Sequence, residues 1–260
     1  MPVLVSPAAL APALRAPQVA AAIARGLERA GVAPPAQLCP VAGGGAGTLE
    51  VLLPALGGET ADGFGLVDDG GTAIVEVGAG AVTGERVAAA VRAGAVVVVV
   101  AAAGIPREED GDGGAEAAAA VLDAGGMCGA RLVVLCEATV PLPEAEGADS
   151  ALAATFADRL GARLVPGAAF VLDALGFDAR MRAAHAVIVG EAQLDAGSLR
   201  GRVAGEIATR ARQAGVPCHA IVAANEIDRF DARILDLQAI QEAGTVAGIE
   251  AAGAALAAYL

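Results

Sequence analysis

The sequence predicts an α/β fold in which a mostly parallel sheet carries helices on both faces, in the Rossmann-like manner. Three observations predict it. Short runs nearly solid with Val, Ile and Leu alternate with amphipathic segments along the chain, the pattern of strands buried on both faces by crossover helices. Five consecutive valines, Val96 to Val100, lie in an apolar run too short to span a membrane and β-branched enough for a central strand. Glycine-rich turns follow several of the strands, where open α/β sheets bind their ligands.

The elements follow in order. Val3-Leu4-Val5 opens as a strand, and Val19, Ile23 and Leu27 then recur at helical spacing, with Arg25, Glu28 and Arg29 off the apolar stripe. A short strand at 38–41 leads into Gly43-Gly44-Gly45-Ala46-Gly47, and Thr48 is placed to cap the next helix. Strands at 65–67 and 72–77 flank the turn Asp68-Asp69-Gly70-Gly71. A helix from Glu85, the valine strand, the acidic glycine loop 108–114, a further helix and a strand at 132–136 follow. Helices from Ala151 and Ala168, a strand at 185–189, a helix at 203–213, a strand at 218–223 and a closing helix at 245–260 complete the chain. No linker rich in Pro or Ser marks a boundary, so a single domain over 1–260 is expected.

Composition narrows the function. The net charge is −13, and an acidic surface without a basic patch excludes nucleic acid, whose phosphates need clustered cations. All 17 basic residues are arginine, so Schiff-base chemistry and a P-loop lysine are excluded, and an anionic ligand must be held by Arg, backbone N–H groups or a metal. Aromatics are 2% of the chain, which leaves core packing to Val, Leu, Ile and Ala. Cys39, Cys128, Cys136 and Cys218 stand singly among apolar neighbours and read as buried small hydrophobes. The Met1 region has no positive stretch before its apolar residues and carries Pro2, Pro7, Pro12 and Pro17, which argues against a secretory signal; a cytoplasmic protein without membrane partners is expected.

Three turns can carry chemistry. Gly43 to Thr48 is neither an ordered dinucleotide fingerprint nor a P-loop. The acidic loop, with Asp110, Asp112, Gly113 and Gly114, has carboxylates suited to Mg2+ beside phosphate oxygens, and suits a solvated loop equally. The third, Gly190-Glu191 to Asp195 with Ser198, Gly201 and Arg202, sets two carboxylates, a hydroxyl and a guanidinium between a buried strand and a helix. A hydrolase triad of Ser198, His185 and Asp195 is disfavoured because Ser198 lacks the GxSxG elbow. His219 reads as a strand residue.

The third turn also carries a resemblance. Val171-Leu172-Asp173-Ala174-Leu175-Gly176, then Ala186 to Glu191, Asp195, Ser198 and Gly201-Arg202, resembles the VLDALG, VITGEGRID, QS and GK motifs of bacterial type-1 glycerate kinases. Collinear with these, Val5-Ser6-Pro7 is similar to the start of the family's APDSFK segment, Pro40 to Thr48 to PVADGGEGT, Ala73 to Val77 to AVIEM, Asp112 to Ala115 to DGGA, and Cys136 with Pro141-Leu142 to CDVxNPL. The chain departs from the pattern at Ala8, Ala11, Gly43 and Ala46, where the family has Asp, Lys, Asp and Glu; Glu137 and Val140 replace Asp and Asn. The family's GPQKG and GAGAAGG segments have no counterpart near Ala148, so a trimmed region around 104–150 and a reduced or missing second domain are expected.

The resemblance implies ATP- and Mg2+-dependent phosphoryl transfer to glycerate. It implies catalytic roles for Asp112, Glu191 and Asp195, with Asp112 and Asp195 as metal ligands. Gly44, Gly45, Gly47, Thr48, Gly113, Gly114, Ser198 and Arg202 would then bind substrate or phosphate. The lost charges favour an alternative, a degenerate homologue that senses a small molecule or serves as a partner subunit. A nicotinamide oxidoreductase rests on fold analogy alone and lacks the glycine fingerprint. Partners are a small-molecule ligand, glycerate or similar with nucleotide, and homo-oligomerisation is left open.

Overall fold

The computed structural model of the chain describes residues 1–61, 63–104, 113–137 and 151–260. In chain order the elements are β1 (Val3–Pro7), α1 (Ala16–Arg29), β2 (Gln37–Leu38), α2 (Thr48–Leu56), β3 (Glu59–Ala61), β4 (Phe64–Val67), β5 (Thr72–Glu76), α3 (Ala81–Arg92), β6 (Val97–Ala101), α4 (Gly113–Asp123) and β7 (Arg131–Cys136). There follow α5 (Ala151–Leu160), β8 (Arg163–Pro166), α6 (Gly167–Ala174), α7 (Phe177–Arg182), β9 (Ala186–Leu194), α8 (Val203–Ala214), β10 (Cys218–Asn225), α9 (Arg229–Ile234), β11 (Leu237–Glu242) and α10 (Val246–Leu256). The fold is α/β with mostly parallel strands, as the alternating pattern predicts.

Two compact units emerge, Met1–Ala42 with Leu172–Leu260, and Gly43–Val171. The first holds a parallel sheet of order β11-β10-β9-β1-β2. On one face Val3, Val5, Ile188 and Ile221 pack beneath Val19, Ile23 and Leu27 of α1 and Ile249 and Leu256 of α10. Small residues let these helices close up. A methyl on Gly26 would overlap the Glu250 carbonyl oxygen, and one on Gly253 would lie 2.7 Å from the Ile23 carbonyl oxygen. Arg25 and Arg29 of α1 both pair with Glu250 of α10, and these guanidinium hydrogen bonds, led by Arg25, hold the Glu250 carboxyl below its usual range. Helix α8 packs against β9 and β10, with Ile207 and Ala211 fully buried.

The second unit holds a six-stranded sheet of order β3-β4-β5-β6-β7-β8, antiparallel from β3 to β5 and parallel from β5 to β8. The valine run becomes β6, flanked by β5 and β7, and Val98, Val99 and Val100 are buried as a central parallel strand demands. Val75, Val98, Val100 and Val134 pack under Val87, Val121 and Phe156 of α3, α4 and α5, while Val99, Ala101 and Leu135 meet Val165 and Phe170 on the other face. This sheet belongs to a second compact unit, where a reduced or missing second domain was expected. Its edge strands β3 and β8 are short and partly polar, which hides them from a search for apolar runs. Of the trimmed region expected around 104–150, residues 105–112 and 138–150 lie outside the described residues, while the stretch between them carries α4 and β7.

Three of the four cysteines are buried as expected. Cys128 is exposed instead, in a glycine-rich turn after α4. Burial pushes the Cys218 thiol up to about 12, reinforced by the Asp236 charge, and raises Cys39, with Arg180 and Ser6 opposing. Among the described residues no helix is long and apolar enough to cross a membrane.

Candidate functional site

Strand β9 is the middle strand of its sheet, paired with β1 through Gly190 opposite Pro7 and with β10 through Glu191 opposite Val222. Gly190 is required there: a Cβ would sit 2.6 Å from the Pro7 Cβ and 3.3 Å from Leu10. The strand runs on to Leu194, five residues past the boundary at 189 that apolar content suggests, because backbone pairing with β10 continues after the side chains turn polar. Asp195 then starts a short 3-10 turn, Ala196–Arg200, and Gly201 at φ 98° leads into α8.

Four of the expected site residues converge on this turn. Asp195 Oδ1 accepts a hydrogen bond from the Gly197 backbone N–H at 2.6 Å and caps the turn. Arg202 Nη1 donates to Asp195 Oδ1 and Oδ2 at 3.1 and 3.2 Å. The Ser198 hydroxyl donates to Glu191 Oε2 at 3.3 Å and accepts from the Asp195 N–H at 3.4 Å. Ser198 is fully buried and Glu191 is 9% exposed, whereas the Asp195 and Arg202 side chains are 23% and 33% exposed. Glu191 and Ser198 thus form a floor, and Asp195 and Arg202 a solvent-facing rim.

Backbone packing fixes the turn in place. A methyl on Gly205, in the first turn of α8, would overlap the Ser198 carbonyl oxygen, and one on Gly197 would sit 2.8 Å from Asp195 Oδ1. A neighbour that sequence reasoning missed is the Gln193 amide, which donates to Glu226 Oε2 at 2.8 Å across the ends of β9 and β10. No motif links two residues 33 apart; only the register of the strands does.

The glycine turn of the second unit is built differently. Gly44 and Gly47 have φ of 89° and 85°, but a methyl on Gly44 would lie 2.5 Å from the Gly167 Cα, and one on Gly45 would overlap the Ala103 carbonyl oxygen. These two glycines permit backbone contacts within the unit. Thr48 does not cap α2 as expected. Gly47 is the cap residue, and the buried Thr48 hydroxyl donates to the Gly45 carbonyl at 2.6 Å. The Leu49 N–H at the start of α2 is taken by Glu76 Oε1 at 2.9 Å, so a carboxylate of the chain itself already meets that helix terminus. Gly113 and Gly114 open α4, and a methyl on Gly114 would come 2.8 Å from the Leu152 Cα, which marks a close helix crossing.

Asp112, like the rest of the acidic loop from Glu108, lies outside the described residues. Among the described residues no three His, Cys, Asp or Glu side chains are grouped to hold a metal ion. The triad of Ser198, His185 and Asp195 does not form. The Ser198 hydroxyl goes to Glu191, and His185 Nδ1 lies 2.8 Å from the Met1 carbonyl oxygen. His219 sits on β10, buried, as a strand residue.

No curated protein matches the chain. A solved structure from Salmonella typhimurium LT2, described as a "putative glycerate kinase 2", shares the fold with a TM-score of 0.72 at 19% identity. The alignment covers 100% of this chain and 98% of that one. The sequence pattern of the glycerate kinase family matches residues 3–111 and 113–255. The chain, matched nearly from end to end, belongs to the glycerate kinase family.

Proposed function

We propose that the protein transfers the γ-phosphoryl group of Mg2+-bound ATP to a hydroxyl of glycerate or a closely similar hydroxy acid. The observation that carries this reading is the cluster of Glu191, Asp195, Ser198 and Arg202 at the carboxyl end of the middle strand, where α/β sheets bind ligands. Phosphoryl transfer needs positioning and neutralisation of charge more than covalent chemistry from the protein, and this turn supplies both signs of charge on a rigid backbone.

Arg202, in the absence of any lysine, is the cation for the transferring phosphate, and its planar fork suits phosphate oxygens. Asp195, part-exposed on the rim, is a carboxylate of the kind that Mg2+ takes alongside phosphate oxygens, and the ion would neutralise charge on the nucleotide. Glu191 orients the acceptor from the floor. In this reading Arg202 exchanges its Asp195 partner for phosphate when nucleotide arrives.

A second reading, a family member without kinase activity that binds a small molecule or a partner, is favoured by specific losses. Ala8, Ala11, Gly43 and Ala46 lack the charges that the family pattern carries, and Glu76 already occupies the α2 terminus. One experiment separates the two: calorimetric titration with ATP and Mg2+, with and without D-glycerate, followed by ADP release from the same sample. Turnover that Asp195→Ala reduces by about a hundredfold or more supports the kinase. Absence of nucleotide binding supports the second reading, and an Asp195→Ala rate equal to wild type removes Asp195 from the site.

A further inference from the structure

We infer that Ser198 is a positioning residue that acts through Glu191, and that it does not touch ligand. This deepens the kinase reading and rests on it for its catalytic meaning. Ser198 has no exposed surface, so a ligand on the solvent side meets Asp195 and Arg202 before it could reach the hydroxyl. The donor of that hydroxyl and one of its two acceptor lone pairs have partners in the protein. It donates to Glu191 Oε2 at 3.3 Å and accepts the Asp195 N–H at 3.4 Å.

The hydroxyl therefore joins two parts of the turn. Glu191 belongs to the strand, and Asp195 with Arg202 belongs to the connection into α8. A carboxylate side chain on a strand has free torsions, and a donor from the facing turn restricts them. The anchor is itself fixed, because Gly205 lets the Ser198 carbonyl lie against α8 where any side chain would collide. Glu191 is thus held at a set distance from the rim pair, as a site for oriented transfer requires.

The test uses the full chain with Ser198→Ala and Ser198→Thr, and measures kcat and KM for D-glycerate and for Mg2+-bound ATP, with urea unfolding of each variant. Ser198→Ala is expected to lower kcat about fivefold, the effect of one long hydrogen bond, with both KM values within about twofold. Ser198→Thr, which keeps the oxygen, recovers most of the loss. A raised KM at unchanged kcat would make Ser198 a ligand contact and overturn the inference. Reduced stability with unchanged kcat would make it structural only, and overturns it too.

If the wild-type chain does not turn over glycerate, the kinase reading fails separately. The inference is then decided by a double-mutant cycle in urea between Ser198→Ala and Glu191→Ala. Non-additivity of about fivefold in the unfolding constant keeps the tie between the two side chains, and additive effects remove it.

Discussion

Buried polar side chains find different partners in the two units. In the second unit the buried hydroxyls of Thr48 and Thr83 are satisfied by backbone: Thr48 by the Gly45 carbonyl, and Thr83 by the N–H and carbonyl of Gly78. In the first, the Ser198 hydroxyl donates to Glu191 as well as accepting the Asp195 N–H, and among the described residues neither ring nitrogen of the buried His219 has a hydrogen-bond partner. Polar groups tied to backbone stabilise a loop and stay there. The contrast sets a side-chain cluster in the turn after β9 against a glycine loop tied by its own backbone.

The largest effect should come from breaking the scaffolding side. Gly45→Ala forces a methyl onto the Ala103 carbonyl, and Gly44→Ala sets one 2.5 Å from the Gly167 Cα at a positive φ. Each should cost about 3 kcal/mol in urea unfolding. Gly47→Ala, where no atom of the described residues lies within 4 Å, carries only the strain of a left-handed backbone and should cost about 1 kcal/mol. Equal costs at Gly45 and Gly47 would show that the loop relaxes, and that its glycines are not there for packing.

A smaller effect sharpens the other side. Asp195→Ala removes the cap of the 3-10 turn and a solvent-screened ion pair, and should destabilise by about 1.5 kcal/mol, while Asp195→Asn keeps an acceptor for Gly197 and loses about half of that. Binding of Mg2+-bound ATP should suffer in both variants. If stability falls and binding does not, this turn is scaffolding as well, and the comparison collapses.

Periodicity made the sheet cores legible, since Val3 to Val5, Val98 to Ala101 and Ala186 to Val189 are apolar because they are buried on both faces. It did not reveal β3, β8 or β11. Those are edge strands whose pairing is by backbone, and Leu237–Glu242 is largely polar or part-exposed. The members of the site were legible through their clustering within twelve residues, Glu191 to Arg202. Their roles were not, because spacing cannot show that Ser198 is buried beneath the rim or that Arg202 turns back onto Asp195. The glycine loop was legible as a tight turn, but the partners that require Gly44 and Gly45 to be small are Gly167 and Ala103, far away in sequence.

His219 offers the smallest test. It lies on β10 between Ile188 of β9 and Ala239 of β11, with the Tyr259 ring 6.1 Å away. Burial lowers its pKa, because the charged imidazolium would lose hydration without gaining a partner. In the unfolded chain the ring takes a proton near pH 6.5, while the folded protein resists until lower pH. Between those two points the unfolded state binds more protons, so stability is full above about pH 6.5 and falls as pH decreases, by at most about 1.4 kcal/mol per pH unit. The Glu250 carboxyl, held below its usual range by Arg25 and Arg29, loses its contribution only at more acid pH, which separates the two windows. Urea unfolding at pH 7.5, 6.5 and 5.5 should therefore show a decline in wild type that His219→Leu flattens. An unchanged slope in the variant would mean that the imidazole finds a partner when protonated, and that buried polar groups in this unit are better satisfied than the contrast between the units holds.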